Sequence, residues 1–217
     1  SDTENEMPQG KRDAEGGIQQ MENGYFAASV ERMEQFQAVL KAEEISVIYA
    51  DSTLFAGEDM PSALQEVYDR AHQAGKELHV ILPAVFREKT RQVYQKMTGQ
   101  LKADGFLVKS YDALGFLLES GMKPQKIRID HNLYTWSNQS KAAFLSTGIC
   151  GDTVPLELNR KELARRDNRG SEMLLYGYLP LMTTAQCVNR NLCGCDKTAH
   201  FCQLKDRYGT FFPVKNN

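Results

Sequence analysis

The chain has 217 residues, 41% of them hydrophobic and 25% charged, enough to bury a core and fold without covalent staples. Its 26 basic and 28 acidic side chains leave a formal charge of -2, which excludes an overall positive field for nucleic acid or anionic membrane and leaves only a local basic patch. No apolar run reaches the roughly 18 to 20 residues a membrane span requires, and the N-terminus lacks the apolar core of a signal peptide; the expected location is cytoplasmic, with no membrane partner.

Residues 1–23 are polar, rich in glycine and charge, and nearly free of large apolar groups, so they cannot repay the entropy of ordering and read as a disordered linker or tail. Residues 24–217 form one domain in which a single theme repeats: a short apolar run, a loop, then an amphipathic stretch. The runs predict strands at Tyr25–Val30, Ile45–Ala50, Leu78–Leu82, Phe106–Lys109, Lys126–Asp130, Thr153–Leu158 and Met173–Tyr178. Between them the spacing predicts helices at Glu31–Ala42, Pro61–Ala74, Arg87–Ala103, Tyr111–Ser120, Asn138–Thr147 and Asn159–Arg166. In the second helix Leu64, Val67, Tyr68 and Ala71 share one stripe, as the 3.6-residue period demands. Gly75, Gly105 and Gly121 follow helical runs and read as stops.

Strands that alternate with helices pair in parallel through crossovers, because a tight hairpin cannot join parallel neighbours. The repeat of about 25 residues is short for a doubly wound sheet, and no GxGxxG turn follows the first strand. Both observations favour an α/β fold of the parallel (β/α) barrel, TIM-barrel type, with seven of its eight strands in this chain. The start at Ser1, not Met, and the stop at Asn217 without a terminating element read as part of a longer chain, whose N-terminal domains are expected partners.

In such folds reactive side chains gather where strands end and loops converge. The strand ends carry Asp51 and Ser52, Arg87, Lys109, Asp130 with His131 and Asn132, Glu157 with Asn159, and Tyr176 with Tyr178. Ordinary roles stand beside functional ones. Asp51 and Ser52 suit a turn, Asp130 and Asn132 suit loop backbone, and Asn159 with Glu162 suits a capping box. Glu157, flanked by Leu156 and Leu158, must face a pocket or a partner if that run is a strand. His131 has the right acid–base range, and with Lys109 and Glu157 it makes the candidate catalytic set.

Cys187, Cys193, Cys195 and Cys202 fall in the stretch CVNRNLCGCDKTAHFC, and the preceding sequence holds only Cys150. Clustering in a polar, Gly-containing loop is the pattern of ligands or disulfide partners, not of core thiols. The spacing C-x5-C-x-C-x6-C lacks the paired C-x2-C of a zinc ribbon but suits an iron–sulfur cluster, which needs converging thiolates more than a fixed interval. Zinc, a disulfide, or thiols without a cofactor remain open on these residues alone. Neither a GxSxG elbow nor an HExxH helix is present, and His200 is the only base close in sequence to a cysteine.

The segments VPLELNRKEL, SEMLLYGYLPLMTTAQC and FCQLKDRYGTFFPVKNN, preceded by IRIDHNLYTWSNQSKAAFL, resemble the collagenase-like peptidase family, peptidase family U-32, over roughly residues 25–217. The ending LKDRYGTFFPV is similar to the C-terminal region of its large, multi-domain members. The resemblance implies a barrel-like α/β fold, a cysteine set that holds an iron–sulfur cluster in several relatives, and one of two activities. Some relatives are proteases on collagen-like or other peptides, hence hydrolases; others serve RNA modification by pyrimidine hydroxylation, or oxygen-independent ubiquinone synthesis. A non-catalytic substrate-docking barrel is the third reading. In the family's signature Glu172, Leu174 and Gly177 stand at the first positions, Pro180 replaces the first cysteine, and Cys187 matches the second. An RNA-modification factor is the preferred expectation, with RNA or peptide as substrate partner, the four clustered cysteines as metal and cofactor ligands, and Glu157, His131 and Lys109 lining the pocket.

Overall fold

The β-branched runs and the amphipathic stretches alternate in space as they do in sequence. The computed structural model describes residues 24–55, 59–97, 99–188, 190, 194 and 200–216. Its elements are β1 (Phe26–Val30), α1 (Met33–Leu40), β2 (Ile45–Asp51), α2 (Met60–Gln73), β3 (Glu77–Ile81), α3 (Glu88–Met97), β4 (Gly105–Val108), α4 (Tyr111–Glu119), β5 (Ile127–Ile129), α5 (Asn138–Leu145), β6 (Gly151–Asp152), α6 (Arg160–Arg165), β7 (His200–Lys205) and β8 (Phe211–Asn216). Strands β1 to β6 pair in chain order, every pair parallel. The result is an α/β fold built on a six-stranded parallel half-barrel sheet. Residues 1–23, expected to be a tail, lie outside the described residues.

Because successive side chains of a strand face opposite ways, the sheet has two apolar layers. Ile48, Ala50, Leu78, Val80, Phe106, Val108, Ile127 and Ile129 join Phe36, Leu64, Val67, Tyr94 and Leu117 of the helices in one buried cluster. On the other face Val47, Tyr49, Ile81 and Leu107 form a smaller cluster with Tyr25 packed against it. Most of the hydrophobic stabilisation therefore lies between sheet and helices, and the concave face is left for polar side chains.

Local signals set the helix ends. Ser110 Oγ accepts from the Ala113 N–H at 3.2 Å to start α4, and Ser137 Oγ accepts from the Ser140 N–H at 3.1 Å to start α5. Gly75 and Gly121 adopt φ of 70° and 77°, the left-handed conformation that ends a helix at low cost only with glycine. Gly105 is different. It opens β4 instead of closing α3, and a Cβ there would lie 2.7 Å from the His79 ring.

Three features differ from the sequence expectation. The sixth strand is Gly151–Asp152, not Thr153–Leu158: Thr153 makes only an isolated parallel bridge to Glu172, and Pro155, without an N–H, cannot extend a ladder. The expected strand Met173–Tyr178 is not formed beyond that bridge, and Leu175, Tyr176 and Tyr178 are 71%, 92% and 98% exposed. An apolar run becomes a strand only where neighbouring backbone receives it. The third feature is the antiparallel pair β7–β8, which spacing did not announce because Pro213 interrupts it; opposite Gln203, that proline lies in a two-stranded sheet where both strands are edges. Lys215 Nζ ties the hairpin to Glu31 Oε2 at 2.7 Å. No helix among the described residues is long and apolar enough to cross a membrane.

Candidate functional site

The densest set of chemistry-bearing side chains lies on the concave face, where β-alternation leaves polar groups inside. Tyr25, just before β1, donates its hydroxyl hydrogen bond to Glu172 Oε1, and Tyr49 of β2 donates to the same oxygen at 2.7 Å. Arg128, in the middle of β5 and buried, sets Nε 3.4 Å from that oxygen. Its Nη1 donates to the carbonyls of Asp152 at 3.2 Å and Gly170 at 3.0 Å. Two hydroxyl donors and one guanidinium ion pair thus converge on one carboxylate, which the Thr153 bridge fixes in place.

The surroundings shift these groups in consistent directions. Burial raises the pKa values of Tyr25 and Tyr49, and the Glu172 charge adds to it while Arg128 opposes. Burial works against the Arg128 charge, yet Glu172 and Tyr49 carry its pKa above the ordinary value. Cys150 lies close enough to feel both charges; burial pushes its thiol up, Arg128 opposes, and Glu172 adds to the rise. A thiol held protonated is a poor nucleophile. Next to this group His79 packs edge-on against Tyr49 at 5.2 Å, and its Nε2 lies 3.2 Å from Glu77 Oε2. Its buried Nδ1 has no hydrogen-bond partner among the described residues.

A second buried network fixes the loops at the C-terminal ends of β5 and β6. Asp152 Oδ2 accepts from Arg166 Nη2 and from Thr135 Oγ1 at 2.5 Å, and Oδ1 accepts from Ser171 Oγ at 2.7 Å. Lys141 Nζ donates to the carbonyls of Asp167 and Arg169 at 2.9 and 2.6 Å and to Ser171 Oγ at 2.9 Å. Every ion here has a partner, as buried charges require. Burial lowers the Lys141 pKa, with Asp152 opposing.

At the predicted strand ends, several ordinary roles are realised. Asp51 Oδ1 accepts from the Thr53 N–H at 2.9 Å, a turn. Asn159 Oδ1 accepts from the N–H groups of Lys161 and Glu162, and Glu162 Oε2 accepts from the Asn159 N–H at 2.8 Å: a capping box. Asp130 Oδ1 accepts from the His131 N–H at 2.8 Å, and Asn132 Nδ2 donates to the Lys109 carbonyl at 2.7 Å. Lys109 and His131, both half-buried, therefore sit at neighbouring strand ends. Glu157 does not join a strand. It lies exposed in the turn before α6, so the argument that it must face a pocket does not hold. Arg87 is exposed and lines a shallow groove with Arg91, Tyr111 and Glu119.

Of the cysteine set, Cys187 and Cys202 are half-buried on either side of the loop, Cys202 within β7; Cys193 and Cys195 lie outside the described residues. Four thiols are the right donor type for a soft metal or an iron–sulfur cluster. Among the described residues alone, no group of three His, Cys, Asp or Glu side chains converges as a metal site.

The interior group was only partly legible. Glu172 was singled out by resemblance, but Tyr25, Tyr49, His79 and Arg128 were not. The available signal was Arg128 itself, a cation between Ile127 and Ile129 in an apolar strand, which demands a buried partner. No protein-family model matches the chain, and no curated protein matches it.

Proposed function

We propose that this chain is the (β/α)-barrel region, TIM-barrel-type, of a member of the collagenase-like peptidase family that acts in iron–sulfur-dependent RNA modification of the pyrimidine-hydroxylation kind. The observation that carries the reading is the position of Glu172. This first residue of the signature is the carboxylate on which Tyr25, Tyr49 and Arg128 converge, so the motif coincides with the most strongly organised polar group on the concave face. In this reading Cys187, Cys193, Cys195 and Cys202 hold the cluster, and Lys109 and His131 face the substrate from the ends of β4 and β5. A bound cluster supplies one-electron chemistry. The chain's own residues hold the loop ends and the interior carboxylate in fixed positions. Burial pushes the Cys150 thiol up, a direction that does not favour it as a nucleophile.

Anaerobic purification of the full-length protein followed by iron and sulfide analysis tests the reading. Both elements are expected in the wild type and lost in a Cys187→Ser, Cys202→Ser variant. Colourless protein with neither element contradicts it. Gelatin hydrolysis that survives purification and disappears in the cysteine variants puts proteolysis in its place.

A further inference from the structure

Thr135, 2% exposed, is held from two sides by the buried network. Arg166 Nε donates to its carbonyl at 2.7 Å and Nη2 to its Oγ1 at 2.9 Å, while Oγ1 donates to Asp152 Oδ2 at 2.5 Å. Its two neighbours point the other way. Tyr134 and Trp136 are 54% and 52% exposed, with their rings edge to face and centroids 6.1 Å apart. Tyr134 holds φ at 57°, the one positive φ at a non-glycine among the described residues, and a bulky L-residue takes that conformation only where its surroundings enforce it. The Trp136 N–H donates back to the Tyr134 carbonyl at 2.8 Å. Packing does not explain this arrangement, since it turns two large apolar rings to solvent and strains the backbone to do so.

We propose that Tyr134 and Trp136 form a stacking platform for an unpaired nucleobase of an RNA substrate, an inference that rests on the RNA-modification reading. Single-stranded RNA is gripped through base faces stacked on aromatic rings, with polar groups reading the edges and cations meeting the backbone. Two of these components, the aromatic rings and a cation, belong to this loop and its neighbour. Lys109, whose carbonyl accepts from Asn132 Nδ2, brings a cation to the adjacent strand end. The loop follows the C-terminal end of β5, the side of a parallel sheet where substrates meet reactive groups.

Trp136 is the only tryptophan in the chain, so its fluorescence reports directly on the platform. The full chain is titrated with a short oligouridine, with a Gly-Pro-Pro repeat peptide and with anionic phospholipid vesicles. Saturable quenching by oligouridine is expected, with affinity about tenfold weaker in Tyr134→Gly. Glycine suits φ of 57°, so an unchanged or higher Tm in that variant shows that the fold is kept. Absence of quenching by oligouridine, equal quenching in Tyr134→Gly, or a response to the peptide or vesicles in place of RNA overturns the platform. Iron and sulfide analysis is independent: quenching in protein that carries no iron supports the platform while removing the cluster reading, and iron-loaded protein without quenching does the reverse.

Discussion

Tyr25 and Glu172 stand 147 positions apart and at opposite edges of the sheet, yet their side chains share a hydrogen bond. Tyr25 precedes β1, and Glu172 bridges to Thr153 beyond β6. In a flat sheet the six strand spacings of about 4.8 Å from β1 to the Glu172 position would hold the two about 29 Å apart, beyond the reach of any two side chains. The contact therefore requires the sheet to curl, and the Glu172 carboxylate, with Tyr49 and Arg128 on it, latches the two edges together.

Loss of the latch leaves Arg128 buried beside an uncharged group. Glu172→Gln is expected to lower unfolding stability by about 2 kcal/mol, and Tyr49→Phe by about 1 kcal/mol, as is usual for hydrogen bonds to a charged acceptor. Urea denaturation at neutral pH measures both. A change below about 0.3 kcal/mol in Glu172→Gln contradicts the role given to the carboxylate.

The tyrosines also set an alkaline limit. Their pKa values in the folded state lie above the ordinary 10.0, so the folded chain keeps protons that the unfolded chain releases. Their contribution is fully present below pH 10 and is lost as pH rises from there toward the folded-state values. Cys150, raised from 9.0, acts in the same sense. Lys141, lowered from 10.5, acts in the opposite sense: its unfavourable protonation is relieved as pH rises to that value. Stability measured against pH in Tyr49→Phe is expected to fall less steeply above pH 10 than in the wild type. Parallel curves contradict the assignment.

Asp152 balances Arg166 and Lys141 where all three are buried. Asp152→Ala removes the shared anion and is expected to cost about 3–5 kcal/mol, the range for stranding buried cations. It also releases Thr135, so the near-ultraviolet circular dichroism of Trp136 should weaken at temperatures where the far-ultraviolet signal persists. Retention of both signals with unchanged stability contradicts the network's role.

Glycine positions give a contrast within one protein. A Cβ at Gly151 would lie 2.5 Å from the Gly170 carbonyl and 2.6 Å from Arg128 Nη1, whereas at Gly115 in α4 nothing lies within 4 Å. Gly151→Ala is expected to destabilise by about 1–3 kcal/mol through overpacking, and Gly115→Ala to stabilise by roughly 0.5–1 kcal/mol through helix propensity. Thermal unfolding of the two variants checks the pair, and shifts in the same direction contradict the packing around Arg128.

Hydrophobic period carried most of the fold: strands β1 to β5 and five of the six helices fall within about two residues of their expected spans at each end, while α3 ends at Met97, six residues before the expected Ala103. The sequence reading failed where tertiary partners decide. Asp152 reads as a loop residue until Arg166, Lys141, Thr135 and Ser171 surround it, and Met173–Tyr178 reads as a strand until its pairing is found to stop at the Glu172–Thr153 bridge. Asn159 and Asp51 were legible as local structure because their partners are two or three residues away. The interior site was legible only at Glu172, since Tyr25, Tyr49 and Arg128 come from separate elements and meet it only when the sheet curls.

The latch is tested most directly by a double-mutant cycle on Tyr25→Phe and Glu172→Gln, with unfolding free energies from urea denaturation of each single variant, the double variant and the wild type. A coupling energy of about 1 kcal/mol or more is the predicted result. Additivity within about 0.3 kcal/mol would mean that the two edges of the sheet are not joined through Glu172.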